Sequence, residues 1–593
     1  MADLRDPVVV QVLWQRLISV TNEQAAALIR TAFTPIVRDA EDLSAAVFDR
    51  GGRMIAQSVT GTPGHINSMA TGMKHFLAAY PPDTLRPGDV LMTNDPWQTS
   101  GHLLDLTIAT PVFARGALVG FFANTCHALD IGGRPMSADA DDVHEEGLYI
   151  PIMKLYEDGR PNDSLFRIIE ANTRAPAPVL GDIHAQVACN EVGARSLLAL
   201  MGEFGLDSLD ALSATIVRRS EQALRRAIAA LPDGEYAAET TADGLDAPIR
   251  IRTRVAIAGD TVTVDYTGSS DQDRRGINVP LNYTEAYTTF AIKAAISPEV
   301  PNNDGSFRPV RVIAPAGCIL NAQPPAPVAA RAIVGHFLPG TIFRALGAAA
   351  GPRAMAAGAD SVCLISVHGG AAAGPFTYTF FCLGGMGARA GKDGLSTTGF
   401  PSGVAGTPAE VTETLAPIVI HRRELRADSG GPGRHRGGSG QTIELSVRTG
   451  RGYGIAATAD RTHSPAEGVD GGQPGAPART VLDSGEALNF KQTQQVPPGQ
   501  RVILELAGGG GFGDPRTRDP EAVRRDVLNG LVSLEAARSD YGVVIRRSAS
   551  DREMVVLPDD FVVDQAATSA LRATGRGSRD PAGAPRSGPS GGS

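Results

Sequence analysis

Thr93-Asn-Asp-Pro-Trp-Gln-Thr-Ser-Gly-His102-Leu-Leu-Asp105 runs into an apolar stretch, Leu106 to Phe113, and after Ala114-Arg115-Gly116 a second stretch, Ala117 to Cys126, ends on His127-Ala-Leu-Asp130. Two strand-like runs around a short Gly-containing turn read as an antiparallel hairpin. Centring the turn on Arg115-Gly116 places Asp105 opposite Cys126 and His127 opposite Leu104, so His102, Asp105 and His127 gather at one end of the ladder. Facing Cβ atoms in such a ladder are about 5 Å apart, a span that two imidazoles and a carboxylate close around one ion at ~2.0 to 2.2 Å ligand distances. A nitrogen, nitrogen, oxygen set suits Zn, Mn or Fe, whereas Ca and Mg prefer oxygen alone. The fourth ligand is expected to be an acid of Arg38-Asp39-Ala-Glu41-Asp42; Asp42 is favoured, with Asp39 and Glu41 as alternatives. A single histidine more often satisfies a core hydrogen bond than binds metal, but here three candidate ligands converge on one hairpin end. Asp130 reads as a cap for the turn Ile131-Gly-Gly133 or a support for the ligands, and Cys126 as a small buried strand residue rather than a thiolate.

Working outward, Asp6-Pro7 followed by Val10, Leu13, Trp14, Leu17 and Ile18 predicts a capped amphipathic helix to about Phe33. Ala45 to Asp49 and Met54 to Ser58 around Arg50-Gly-Gly-Arg53 predict a hairpin, and helices follow over about 65–80 and 207–231. Ile249, Ile251, Thr253, Val255 and Ile257 alternate with polar residues, a period of two that opens a strand-rich region. Asp519-Pro520 and Ser533 start two short helices near the end. The resulting fold class is α+β (mixed α/β) and multi-domain. Residues 1–233 form an N-terminal α/β region with the metal site, 234–506 a β-rich region with Gly-rich loops, 507–565 a Gly-rich turn with C-terminal helices, and 566–593 a disordered tail.

The 593 residues are 42% hydrophobic and 20% charged, ordinary for a folded globular chain. A net charge of −9, with no dense basic stretch, argues against nucleic acid as a partner. Gly 68 and Pro 41 exceed average usage of about 7% and 5% and predict many backbone-lined loops. Five scattered cysteines without a C-x-x-C pair suit a reducing compartment, and the charged N-terminus and the absence of a long apolar run point to a cytoplasmic protein without membrane contact. Gly508-Gly-Gly-Gly-Phe-Gly513 satisfies G-x-G-x-x-G by letter only and reads as a turn; Gly387-Ala-Arg-Ala-Gly391-Lys392-Asp393 is one residue short of a phosphate loop. A G-x-S-x-G match occurs at 588–592, in the tail.

The motifs Thr93-Asn-Asp-Pro96, Gly101-His-Leu-Leu-Asp105, His127-Ala-Leu-Asp-Ile-Gly-Gly133, Glu146-Gly147, Leu180-Gly-Asp182 with Gln186 and Asn190, Asp265-Tyr-Thr-Gly-Ser269, Asp428-Ser-Gly-Gly-Pro-Gly433 and Gly508 to Pro515 stand in one order. With them the sequence resembles the hydantoinase B/oxoprolinase family from about Asp6 to Ile545. The resemblance implies a B-type subunit of an ATP-dependent hydrolase of cyclic amides such as hydantoins, 5-oxoproline and lactams. It implies an A-type partner that binds ATP and Mg, in a hetero-oligomer such as α2β2. It also implies a metal held by Asp42, His102, Asp105 and His127, through which these residues act in catalysis. In that mechanism the partner phosphorylates the amide oxygen and water is delivered to the activated carbon. Two alternatives go with it: a subunit of an ATP-dependent ketone carboxylase, or a non-catalytic scaffold of the same fold.

Overall fold

The computed structural model describes residues 3–351, 354–360, 362–371, 374–489, 491–547 and 557–573. The first helix, α1 (Pro7–Thr31), starts where Asp6 accepts the Val8 amide at 2.8 Å and Pro7 fills the first turn. A single turn, α2 (Pro35–Arg38), leads to β1 (Leu43–Asp49), β2 (Met54–Gln57) and α3 (Pro63–Ala79). Strands β3 (Val90–Thr93), β4 (Asp105–Ala114), β5 (Ala117–His127), β6 (Met153–Glu157) and β7 (Arg160–Pro161) complete an antiparallel sheet in the order β2-β1-β5-β4-β3-β6-β7.

This sheet is buried on both faces, and its residues alternate between two cores as the strand period requires. Val47 and Phe122 pack with α1 and the later helices α5 (Pro176–Phe204) and α6 (Asp210–Ala229), which follow α4 (Asp163–Asn172). Phe48, Phe121 and Ala123 pack with Ile66, Met69 and Met73 of α3 on the other face.

The hairpin predicted from Leu106–Phe113 and Ala117–Cys126 is β4–β5, but its register differs from the one counted from the turn. Ala114 pairs Ala117 and Phe113 pairs Leu118, as centring on the turn requires; a bulge then leaves Val119 unpaired, and Val112 faces Gly120. One extra residue in β5 slides the rest of the ladder. Asp105 therefore faces His127, and Cys126 faces Leu106.

The stretch 234–506 contains more helix than its strand pattern suggests. β8 (Gly234–Ala242), β9 (Ile249–Ala258), β10 (Thr261–Asp265) and β11 (Val310–Ile313) form a second sheet, with β9 alternating buried and exposed as predicted. Against it pack α7 (Leu281–Ile296) and α9 (Phe337–Ala350), the latter preceded by the short α8 (Ala332–Gly335). α7 is buried through Tyr283, Tyr287, Ala291, Ile292 and Ala295, with Thr284 and Thr288 buried between them, so it lacks the polar stripe that marks a surface helix.

β12 (Cys363–Ala371), β13 (Gly374–Cys382), α10 (Ala409–Leu415), β14 (Ile418–Leu425), β15 (Gln441–Val447), β16 (Tyr453–Ala457), β17 (Arg479–Leu482), β18 (Gln494–Val496) and β19 (Val502–Glu505) give two four-stranded sheets sharing one core. The chain ends with α11 (Pro520–Leu528), α12 (Leu534–Ser539), β20 (Ile545–Arg547), β21 (Phe561–Val563) and α13 (Gln565–Ala573). α13 occupies the start of the expected tail. Its Thr568 hydroxyl accepts the Val544 amide at 3.0 Å and its Arg572 donates to the Tyr541 and Arg518 carbonyls, so polar docking replaces the apolar signal that the segment lacks. The remainder of that tail, with the G-x-S-x-G match, lies outside the described residues.

The run Gly508–Gly513 is not a turn. The Gly508, Gly509, Gly510 and Gly511 amides donate to the carbonyls of Ala476, Gly438, Ala357 and Gln473. Residues three apart thus reach the same neighbouring segment, the threefold period of a polyproline II backbone. Other Gly-rich segments surround it, with Gly431 donating to Gly509 and Gly385 to Ala507. Added Cβ atoms would lie 1.9 Å from a carbonyl oxygen at Gly437 and 1.8 Å at Gly508.

Candidate metal centre

Five segments distant in sequence meet beside the open end of the β4–β5 hairpin. Asp105 is the first residue of β4 and His127 the last of β5, a facing pair in the ladder. His102 sits three residues before Asp105, in the loop after Gly101, whose φ of 91° allows a close approach: an added Cβ would lie 2.7 Å from the Arg331 side chain. Asp42 is delivered just ahead of β1 by Glu41, held in the left-handed region at φ 54°, and the Asp42 carbonyl accepts the His127 amide at 3.2 Å. His65 comes from the first turn of α3, capped by Thr62, and Arg331 from the start of α8.

All six side chains are buried. Asp105 Oδ1 lies 2.8 Å from His102 Nε2 and 3.2 Å from His127 Nδ1, while Oδ2 takes His65 Nε2 at 2.9 Å and Arg331 Nη2 at 2.6 Å. Asp42 stands a step back, 3.7 Å from His65 Nδ1 and 3.9 Å from His127 Nδ1. His102, Asp105 and His127 present ligand atoms that all lie within 4.8 Å of one another. Of the alternatives for the acidic position, Asp39 is turned to an ion pair with Arg38 at 2.9 Å, and Glu41 does not line the cavity that Asp42 helps to form.

The tautomer of His102 follows from its partners. Nδ1 lies 2.9 Å from the Ala329 carbonyl, which can only accept, so Nδ1 carries the proton. Nε2 then directs a lone pair at a carboxylate oxygen 2.8 Å away and has no hydrogen bond of its own. Two acceptors at that distance repel unless a proton or a metal ion lies between them, and a histidine fixed through its other nitrogen to a backbone carbonyl is the usual support of a metal ligand. Burial, then the Arg331 charge, pushes the His102 pKa down to about 4, which keeps that lone pair free at neutral pH. Burial opposes ionisation of Asp105, but His102, His65 and Arg331 outweigh it and hold its carboxyl well below the usual range. Burial raises Asp42. Burial lowers His65, yet Asp105 and Asp42 outweigh it and leave its pKa raised.

Glu146 supports this wall from behind. Its Oε1 accepts the Val328 and Ala329 amides at 2.7 and 2.8 Å, setting the carbonyl that orients His102, and burial raises its pKa to about 8. The side chains enclose a cavity of about 50 Å³ whose far wall is apolar, with Met136, Val362, Leu364, Phe381 and Val404, and whose roof carries Tyr283, Tyr287 and His336. At that size it takes an ion and one or a few waters.

The sequence does not single out His65 or Arg331. Thr62-Pro63 before His65 marks a helix start but says nothing of what the helix faces, and Arg331 lies more than 200 residues from Asp105. Asp130 caps its turn through the Gly132 amide at 3.2 Å and pairs with Arg174 at 2.6 Å, away from the cavity. Cys126 is a buried strand residue, and burial pushes its thiol pKa well up.

The hydantoinase B/oxoprolinase family matches residues 6–515. The β subunit of the caprolactamase of Pseudomonas jessenii is 32% identical over 602 residues, spanning 96% of this chain and 99% of that one. The crystal structure of the ATP-dependent caprolactamase from the same organism superposes with a TM-score of 0.85 at 28% identity, covering 96% of this chain and 100% of the other. A nucleotide-free acetone carboxylase structure has a TM-score of 0.84 over 96% of this chain and 83% of its own, at 21% identity, and so shares the fold. Among the described residues no helix is long and apolar enough to cross a membrane.

Proposed function

The chain belongs to the hydantoinase B/oxoprolinase family, and from that premise we propose that it is the metal-holding B-type subunit of an ATP-dependent cyclic amide hydrolase. The observation that carries the reading is the buried contact of His102 Nε2 with Asp105 Oδ1, two acceptors 2.8 Å apart on the wall of a cavity. His102, Asp105 and His127 would hold Zn, Mn or Fe, with Asp42 as the fourth ligand. A borderline divalent ion there supplies Lewis acidity toward a water or a developing oxyanion.

The chain's own residues prepare that position. Arg331 and His65 occupy Asp105 Oδ2, which leaves Oδ1 to the two histidines. The Ala329 carbonyl fixes the His102 ring. His65 Nδ1, buried without a hydrogen bond and facing Asp42, is placed to carry a proton at the cavity edge. The apolar wall excludes bulk water from an activated amide. A cyclic amide needs more room than about 50 Å³, so Leu364, Phe381 and Val404 must shift to admit it. In this reading an A-type partner binds ATP and Mg and phosphorylates the amide oxygen, and the two chains form a stable hetero-oligomer such as α2β2.

The test is co-expression with the A-type partner, followed by ATP turnover in the presence of hydantoin, 5-oxoproline, lactams, or ketones with bicarbonate. The expected outcome is stimulation by a cyclic amide together with ring opening. Stimulation by a ketone and bicarbonate alone would make the chain a carboxylase subunit, and no stimulation by any of these would favour the scaffold.

A further inference from the structure

A second cavity, of about 550 Å³, lies apart from the His102 cavity and shares no lining residue with it. Its walls are Phe290 of α7, Phe343 of α9, Met355, Met386 and Phe400, with the Phe343 and Phe400 rings 6.2 Å apart. The volume is that of a small-molecule pocket, and two methionines give it walls that adapt to shape. At its rim stands the turn Arg389-Ala-Gly-Lys392, closed by hydrogen bonds from the Arg389 amide to the Lys392 carbonyl at 2.9 Å and back at 3.3 Å. Arg389 and Lys392 face each other in this small ladder, so both cations project to one side.

Neither cation is neutralised. Among the described residues no carboxylate lies within ion-pair distance of Arg389 or Lys392, and no acidic side chain lines the cavity. Arg389 Nε is buried without a hydrogen bond, an unsatisfied donor whose desolvation is offset when an anion accepts from it. The acid next to Lys392 in sequence, Asp393, is engaged by Arg518 at 2.7 Å. An apolar chamber with two unpaired cations at one end has the chemistry of a receptor for an amphipathic carboxylate.

We propose that this cavity binds a small monocarboxylate whose apolar body packs among the three phenylalanines while Arg389 and Lys392 take the carboxylate. The site is independent of the metal cavity.

Octanoate is the probe, with octylamine and octanol as same-length controls, titrated into the full chain by calorimetry. Octanoate is expected to bind, with octanol about tenfold weaker or worse and octylamine weaker still, because each loses the charge-assisted contacts. Arg389→Met and Lys392→Met are each expected to weaken octanoate about tenfold. Ala294→Phe, which fills the chamber from α7, is expected to abolish binding while leaving metal content unchanged. Three results would each overturn the proposal: equal binding of the three probes, octanoate binding unaffected by both rim variants and by Ala294→Phe, or no octanoate binding at all. The last is also the result for a face that a protein partner covers.

Discussion

Around His102 the interior is occupied by charged side chains; around Gly509 it is occupied by backbone. At the first place, strands and helix starts each contribute one ionisable group, and the burial of Asp42, His65, His102, Asp105, His127 and Arg331 is tolerable because each charge has a partner. At the second, Gly-rich segments approach until no Cβ fits, and amide-to-carbonyl bonds replace side-chain packing. Substitutions should therefore have different consequences in the two regions. Near Gly509 almost any side chain breaks the fold, whereas at the histidines near His102 a substitution leaves Asp105 its other partners and chemistry is lost first.

Gly509→Ala is the strongest test of the backbone-packed region. The added Cβ would lie 2.2 Å from the Met386 carbonyl oxygen, and the neighbour is backbone, so destabilisation of about 5 kcal/mol or more is expected, read as loss of soluble folded protein or a large fall in urea midpoint. A parental midpoint would show that the segments separate at little cost. Arg331→Met should come next. It removes the cation donating to Asp105 Oδ2 and to the Ser100 carbonyl, both at 2.6 Å, and is expected to cost about 3 to 5 kcal/mol by denaturant titration.

His102→Ala should leave the sheet folded, since Asp105 keeps His65, His127 and Arg331, but should lower metal content by about tenfold or more when measured by mass spectrometry of the purified chain. Unchanged metal content in both His102→Ala and His127→Ala would remove the site assignment.

A smaller effect concerns Glu146, whose folded pKa, raised by burial to about 8, exceeds that of an unfolded glutamate. The fold prefers its protonated form, so its contribution is full below about pH 4.5 and is lost as pH rises through 8. Glu146→Gln keeps an acceptor for the Val328 and Ala329 amides and cannot ionise, so it is expected to flatten the fall in stability between pH 5 and 8. A slope equal to the parent's would assign the pH dependence elsewhere. The smallest effect is the control for the glycine argument. Gly202, near the end of α5, has nothing within 4 Å of an added Cβ, and Gly202→Ala should stabilise by about 0.5 to 1 kcal/mol in the same urea titration.

The two regions also differ in how much of them the sequence discloses. The hairpin carrying Asp105 and His127 is legible because its strands are two apolar runs of strand length and its turn is local, and three of the clustered residues follow from it. The bulge at Val119 is not, because the Gly120 that follows it reads equally well as an in-register strand residue. The 29-residue helix α5 escapes a search for apolar periodicity because polar residues interrupt its buried positions: Asp182, Gln186 and Asn190, four residues apart, lie buried among Val179, Ile183, Val187 and Leu197 and bond to Thr34, Leu106, Asn124 and Ile108. Gly508–Gly513 reads as a turn because glycine carries no facing pattern, and only the surrounding segments show that it is interior.

The measurement closest to the central claim is ring opening and phosphate release followed in one reaction, with the proposed A-type partner and either Asp42→Asn or Asp105→Asn. If the metal cavity acts after phosphorylation of the amide, ring opening is lost while substrate-stimulated ATP cleavage partly survives. Ring opening at the parental rate in a variant that has lost its metal, or bicarbonate-dependent incorporation of labelled carbon into a ketone product with no ring opened, would contradict it.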